Sequence, residues 1–478
     1  VTTGHEEAST AAAAPPFPAT RPKDAASGPA RRRGLRVTIV AANTFEFDSR
    51  FLRTATSLAA DGHTLRILGW SGKGLPVEEE LAPGVQLRRL DIDRRISTAL
   101  RPLPSPLRAL LSRALGLDPS ATVLPPDRPR GFDRLRHPIR RLLELAANAR
   151  RVGPWTDAVL AAAPETDVFH AQSLIVLPVV RGAAARLGGR FVYDVADYHT
   201  EAARLARMPS FVRRTFARRE RTWARDAAGF LAVSNPVADL VQRRWDVERP
   251  AILLNCPHAW RPEHPAPIDS TRIRDALDLP PERPIVLYQG GFSVDRGIEE
   301  LVAAAADPRL RRLDAAIVFM GYGRLEGYLR DAALENEDRI YLLPAVPVDE
   351  LLEWTAGADV SFVGQPPRTL NHRMNLPNKL FESLMAGVPV VVARDNEQCR
   401  LVTAERVGTC VDVDSREEVA AGIYGLLTAP EFERQRLRAH CRMVALEKYT
   451  WDLNATGLLA LYRRLAETPG KTARPVTP

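Results

Sequence analysis

The chain has 478 residues, 45% hydrophobic and 26% charged, which is room for two to four domains with sizeable cores. Its four cysteines, Cys256, Cys399, Cys410 and Cys441, stand far apart with no metal-type spacing, so reduced structural thiols of a cytosolic protein are expected and a zinc site is not. No apolar run reaches 18 residues and no secretory h-region opens the chain, so neither a spanning helix nor export is expected.

Residues 1–34 have little to bury and read as a disordered tail. Leu35 to Ala41 is an apolar run of the buried-strand type, followed by a loop through Asn43 to Asp48, a helix over Arg50 to Ala60 and a second strand from His63 to Trp70. This βαβ opening predicts a parallel sheet. No Gly-x-Gly-x-x-Gly follows the first strand, which speaks against a dinucleotide-binding fold. After a strand from Val85 to Leu90 comes a Pro-rich insert, 94–151, in which thirteen Arg face four acidic residues; that +9 excess exceeds the whole chain's +8. Leu107, Leu110, Leu111 and Leu115 repeat at helical spacing within it, predicting an amphipathic helix. A local basic excess calls for an anionic partner, and the scarcity of interleaved aromatics disfavours nucleic acid. Alternation then resumes, with His170 ending one strand, Arg190 to Val195 forming another and Ser234 capping a helix. The proline-rich run from Pro257 reads as a linker over 257–280.

A second alternating region, 281–450, opens at Pro284-Ile-Val-Leu-Tyr-Gln289 and carries two Gly-rich stretches, Gly290-Gly291 with Arg296 beyond it, and Gly321-Tyr-Gly323. Both are read as turns at the carboxyl ends of parallel strands, where open α/β sheets bind ligands. The most informative stretch is Asn375-Leu-Pro-Asn-Lys-Leu-Phe-Glu-Ser-Leu-Met-Ala-Gly387. Asn378 is the expected N-cap, Gly387 the stop, and Val388 to Ala393 a buried strand. A helix N-terminus beside a lysine makes an anion site suited to a diphosphate. Glu382, one turn on, can accept hydrogen bonds from sugar hydroxyls. Lys379 is one of only five Lys among 66 basic residues, which favours a need for a compact point charge there. A final helix is expected near 451–466, then a polar tail, 467–478.

These motifs together resemble glycosyltransferase family 4. They are Pro377 to Pro389, Tyr288 to Gly297, Ala232-Val-Ser-Asn-Pro236 with Leu254-Asn-Cys-Pro257, and the weaker Asp167-Val-Phe-His170, Tyr193-Asp-Val-Ala-Asp197 and Tyr449-Thr-Trp451. The resemblance spans roughly Leu35 to Leu465 apart from the insert. It implies an α/β, GT-B fold: two Rossmann-like parallel-sheet domains facing a cleft, here an acceptor domain over 35–256 and a nucleotide-sugar domain over 281–450, with a C-terminal helix crossing back. It further implies Arg296, Lys379, Glu382 and His170 as catalytic positions, and Gly290, Gly291, Gly321, Asn378 and Leu380 as donor-binding ones. Two positions depart from the family: Met374 stands where a first Glu is usual, and Gly291 where many members carry Arg.

The implied chemistry is transfer of a hexose-type sugar from a UDP- or GDP-type nucleotide sugar to an acceptor hydroxyl with retention. No metal and no other cofactor are expected, because Asp91-Ile-Asp93 and Asp412-Val-Asp414 read as ordinary loop edges. The expected acceptor is lipid-linked or a polysaccharide, the expected location cytoplasmic, and the basic insert suggests peripheral contact with anionic membrane. A sugar-nucleotide epimerase of the same fold would need a carboxylate and His cluster that cannot be assembled from the sequence. A non-catalytic scaffold draws support from Met374 and Gly291.

Overall fold

Runs such as Val37-Thr-Ile-Val40 and Val390-Val-Val392 suit strands covered on both faces, and they sit in two largely parallel sheets. The computed structural model describes residues 34–46, 48–115, 133–261, 270–336 and 338–468. The expected tails, apart from Gly34, Glu467 and Thr468, lie outside these residues, as do 116–132 of the insert and 262–269 of the linker.

The first sheet comprises β1 (Arg36–Val40), β2 (Thr64–Trp70), β3 (Glu78–Ala82), β4 (Val85–Leu90), β5 (Val168–Ala171), β6 (Arg190–Val195), β7 (Gly229–Ala232) and β8 (Ala251–Ile252). Its order is β3-β4-β2-β1-β5-β6-β7-β8, and all pairs are parallel except β3 with β4. The second sheet orders β9 (Ile285–Phe292), β10 (Ala316–Gly323), β11 (Ile340–Leu343), β12 (Val360–Val363), β13 (Val390–Ala393) and β14 (Gly408–Val411) as β11-β10-β9-β12-β13-β14, all parallel. Strand order therefore reverses between β1 and β5 in one sheet and between β9 and β12 in the other. Ligand crevices of open α/β sheets form at such points.

The last helices close the chain onto the first sheet, as expected. Trp451, Leu458, Leu461 and Tyr462 are buried in the core beneath β1, β2 and β5, and the Trp451 indole N–H donates to Ser57 Oγ at 2.7 Å. Within the insert, the helix Ser105–Ala114 matches the Leu spacing. The 30-residue helix Asp133–Ala162 was not expected, because Pro138 and its many Arg mask its apolar stripe; Trp155 anchors it, 5.3 Å from the Trp70 ring.

Three local expectations are corrected. Pro377, not Asn378, holds the N-cap position of the helix Asn378–Met385, and no side chain caps it. Neither Gly pair is in a turn: Gly290 and Gly291 lie in β9, Gly321 and Gly323 lie in β10 paired with Gly290 and Phe292, and a Cβ on Gly321 would stand 2.0 Å from the Gly290 carbonyl oxygen. Cys399 and Cys410, expected as reduced thiols, form a disulfide, since the helix Glu397–Glu405 packs back on β14 and brings their Cα atoms to 5.6 Å. Cys256 and Cys441 are buried free thiols.

Candidate functional site

A cavity of about 540 Å³ opens between the carboxyl ends of the two sheets. From the first sheet it is lined by residues 43–46 and 48 after β1 with Ser49 and Arg50 of the helix that follows, by Gln172 after β5 and by Asp197 after β6; from the second by Arg296, Tyr322 and the Asn375 to Asn378 segment. Both strand-order reversals thus face one space.

Lys379 is the second residue of the helix Asn378–Met385, and the N–H groups of Asn378 and Lys379 precede any intrahelical acceptor. Its ammonium sits 3.7 Å from the Tyr288 ring centroid, and a Cβ on Gly290 would lie 3.6 Å from it. Burial, then the charge of Arg296, push the Lys379 pKa well below the usual lysine range, against the pull of Glu382. An anion placed beside this buried ammonium would offset the burial. Arg296, expected as the second phosphate cation, is exposed and lines the cavity.

Glu382 accepts a 3.0 Å hydrogen bond from Gln289 Nε2, and Gln289 in turn accepts from Thr355. Burial raises its pKa, opposed by Arg53, Gln289 and Lys379. Arg53, on the helix Ser49–Ala60, was not foreseen. It is buried, stacks over Trp451 at 5.3 Å and donates to Asn255, which donates to Asn378. A relay of polar side chains therefore reaches from the first sheet's helix to the start of the second sheet's. No sequence signal marks Arg53, because one Arg among 61 has no distinguishing neighbours until the crossing helix is in place.

The other expected residues fare differently. Gly290 and Gly291 end β9 beside Lys379, and Gly291 is exposed with open space where a side chain would project. Gly321 lies in β10 next to Gly290. Asn378 lines the cavity. Leu380 is fully buried, and its N–H is spent on the Pro377 carbonyl at 3.1 Å, so it has no free amide to offer. His170 does not line the cavity. It is fully buried under the sheet, its Nδ1 2.9 Å from the Tyr462 hydroxyl and its Nε2 3.6 Å from Asp194. Strand alternation explains this: Phe169 and Ala171 face one layer, while His170 shares the other with Val168. Arg50 holds Asp194 with bonds of 2.8 and 2.7 Å; burial pushes that carboxyl up, but Arg50 and His170 outweigh it and keep it well below the usual range.

The Met374 side chain is buried in the first sheet's core, and its carbonyl accepts from Ser234 Oγ at 2.7 Å. It cannot face a sugar.

Residues 283–429, which contain β9 to β14 and the Lys379 helix, match the family model described as Glycosyl transferases group 1. Over 176 residues the chain is 30% identical to a putative colanic acid biosynthesis glycosyl transferase, WcaI, of Escherichia coli K12, covering 35% of this chain and 42% of that relative, so less than half of the relative's length is matched. Sucrose-phosphate synthase from Thermosynechococcus elongatus superposes with a TM-score of 0.64 at 17% identity, covering 90% of this chain and 99% of that one. A trehalose-6-phosphate protein from E. coli, bound with UDP-2-fluoro glucose, gives 0.60 at 13%, covering 91% and 100%. The chain thus takes the two-sheet GT-B fold seen in these structures, and its residues 283–429 are similar to group 1 glycosyl transferases.

Proposed function

We propose that the protein is a retaining glycosyltransferase of the family 4 type, moving a hexose-type sugar from a nucleotide-diphosphate sugar to an acceptor hydroxyl. The observation that carries this reading is the Lys379 ammonium over the Tyr288 ring at a helix start, with Arg296 and Glu382 close enough to act on it. The relative bound with UDP-2-fluoro glucose supports a UDP-type donor.

In the reaction, the acceptor hydroxyl attacks the anomeric carbon from the side of the leaving group. The bond from that carbon to the diphosphate oxygen breaks, and the departing diphosphate takes the hydroxyl proton. Lys379, Arg296 and the helix amides stabilise the charge that develops on the diphosphate, while Glu382 accepts from donor hydroxyls. Because cations already stand where that charge forms, turnover without a metal is the proposal; activity that vanishes in EDTA and returns with magnesium or manganese overturns it.

We further propose a lipid-linked or polysaccharide acceptor at the inner face of a membrane, in cell-surface polysaccharide or glycolipid synthesis. No helix among the described residues is long and apolar enough to cross a membrane. The two insert helices instead expose Leu107, Leu110, Ile139 and Leu142 beside the exposed Arg101 and Arg113. The colanic acid relative supports such an acceptor class.

A thermal-shift panel of UDP-, GDP- and ADP-sugars tests the donor reading, since a ligand that binds only the folded state raises its Tm. No shift with any of them removes it.

A further inference from the structure

Met374 stands where the resemblance leads one to expect a Glu, a residue able to accept a hydrogen bond from a sugar hydroxyl as Met is not, and its side chain is committed to the first sheet's core. Three other carboxylates line the cavity. Asp48 is occupied, because Oδ1 caps the helix Ser49–Ala60 at Phe51 N–H and Oδ2 accepts from Asn43. Glu46 is exposed on its loop and takes the Thr44 hydroxyl at 2.6 Å. Asp197, at the carboxyl end of β6, differs from both. Its Oδ1 accepts from Asn371 Nδ2 at 2.8 Å and from Asn375 Nδ2 at 3.1 Å, and its Oδ2 has no hydrogen-bond partner among the described residues.

The two asparagines flank Met374 on the segment that leads into the Lys379 helix, and Asn371 also accepts the Tyr198 N–H at 2.7 Å. The segment lacking the usual carboxylate therefore grips one from the opposite domain by its first oxygen and leaves the second for the cavity. Two neutral amide donors hold the carboxylate in place without neutralising it, as a guanidinium would.

We propose that Asp197 supplies the missing sugar-binding carboxylate across the cleft, its Oδ2 accepting a hydroxyl of the donor hexose. A donor contact made from the first sheet's side ties sugar recognition to the meeting of the two domains, so the hexose is read only where the Asn371 and Asn375 bridge is formed. This rests on the glycosyltransferase reading and adds to it the residue that distinguishes a nucleotide sugar from the bare nucleotide.

The test is Asp197→Asn, with its side-chain oxygen able to keep both amide bonds while the free oxygen becomes an NH2 group. Calorimetry compares UDP, GDP and ADP with UDP-glucose, UDP-galactose, UDP-N-acetylglucosamine, GDP-mannose and ADP-glucose on the full chain. The unaltered protein is expected to bind one nucleotide sugar more tightly than its own diphosphate. In the variant that preference falls by about tenfold, the loss of one charged hydrogen bond, with diphosphate affinity and Tm unchanged. A variant that retains the preference overturns the proposal. So does an equal loss for diphosphate and sugar nucleotide, since that marks Asp197 as a structural latch only. If the unaltered protein binds none of the panel, the glycosyltransferase reading itself fails and this inference with it.

Discussion

Glu220 is fully buried and accepts the Tyr193 hydroxyl at 2.8 Å with one oxygen, while the other has no partner among the described residues. Burial pushes its carboxyl up to about 7, only partly offset by that hydrogen bond. A raised acid stabilises the fold while protonated, so its contribution is complete below about 4.5 and is lost as pH rises to about 7. That 4.5-to-7 shift corresponds to about 3 kcal/mol. The buried His63, His199 and His372, whose pKa values burial lowers, give the opposite slope. The expectation is therefore stated as a difference: Glu220→Gln removes the downward slope, and the gain over the unaltered protein in urea melts grows from pH 5 to 7.5. A gap that does not change with pH refutes it. At the same scale, Lys379→Ala should weaken nucleoside diphosphate binding by about 1.5–3 kcal/mol, the usual loss for a charge-assisted hydrogen bond. Unchanged calorimetric affinity would show that the phosphates bind elsewhere.

Secondary-structure ends decide where charges can be added. The end of β9 presents Gly291 exposed, with nothing within 4 Å of an added Cβ and no positive φ. Gly291→Arg should therefore fold normally and add a cation beside Lys379, tightening diphosphate binding by about 1–2 kcal/mol. A lower Tm with unimproved affinity would mean that the open space lies off the phosphate path. The closing helices act differently, since Trp451 has no exposed surface, donates to Ser57 and lies under Arg53. Trp451→Ala should cost about 3–5 kcal/mol of stability by denaturant melting, the range for an emptied aromatic site. A cost under 1 kcal/mol would mean that the crossing helix is not needed to hold the first sheet's core.

For the molecule as a whole, the charge asymmetry is carried by the insert helices. Leu111, Leu115 and Leu143 join the two helices, leaving Leu107, Leu110, Ile139 and Leu142 exposed. Arg140 is not part of the free basic surface, because it is buried and its Nε donates to the Leu115 carbonyl. The cations that can meet a membrane include Arg108, Arg113 and, once it leaves its ion pair with Asp93, Arg101, each contributing about 1 kcal/mol near an anionic surface. Co-sedimentation with anionic vesicles should fall with salt and weaken when these three become Gln. Equal pelleting with neutral vesicles, or none at low salt, leaves a soluble acceptor in place of a membrane-bound one.

The sequence by itself determined the alternation of strands and helices, the parallel sheets and the Lys379 helix, because buried parallel strands must be apolar along their length and helix stops follow from local backbone chemistry. It also marked Arg296 and Asn378, which line one cavity, and Gly290, which lies beside Lys379. What it left undecided was direction. His170 ends a strand as the cleft residues do, but strand alternation and the packing of Tyr462 turn it under the sheet. Met374 directly precedes the cavity residue Asn375, and only the contact between domains commits its side chain to the first sheet's core while its carbonyl takes the Ser234 hydroxyl from 140 residues away. The Cys399–Cys410 bond forms only once the helix Glu397–Glu405 packs back on β14, and the contacts of Arg53 and Asp197 join residues far apart in the chain that come close only when the two sheets and the return of the last helix are fixed. Those are properties of the packed sheets, and no local spacing encodes them.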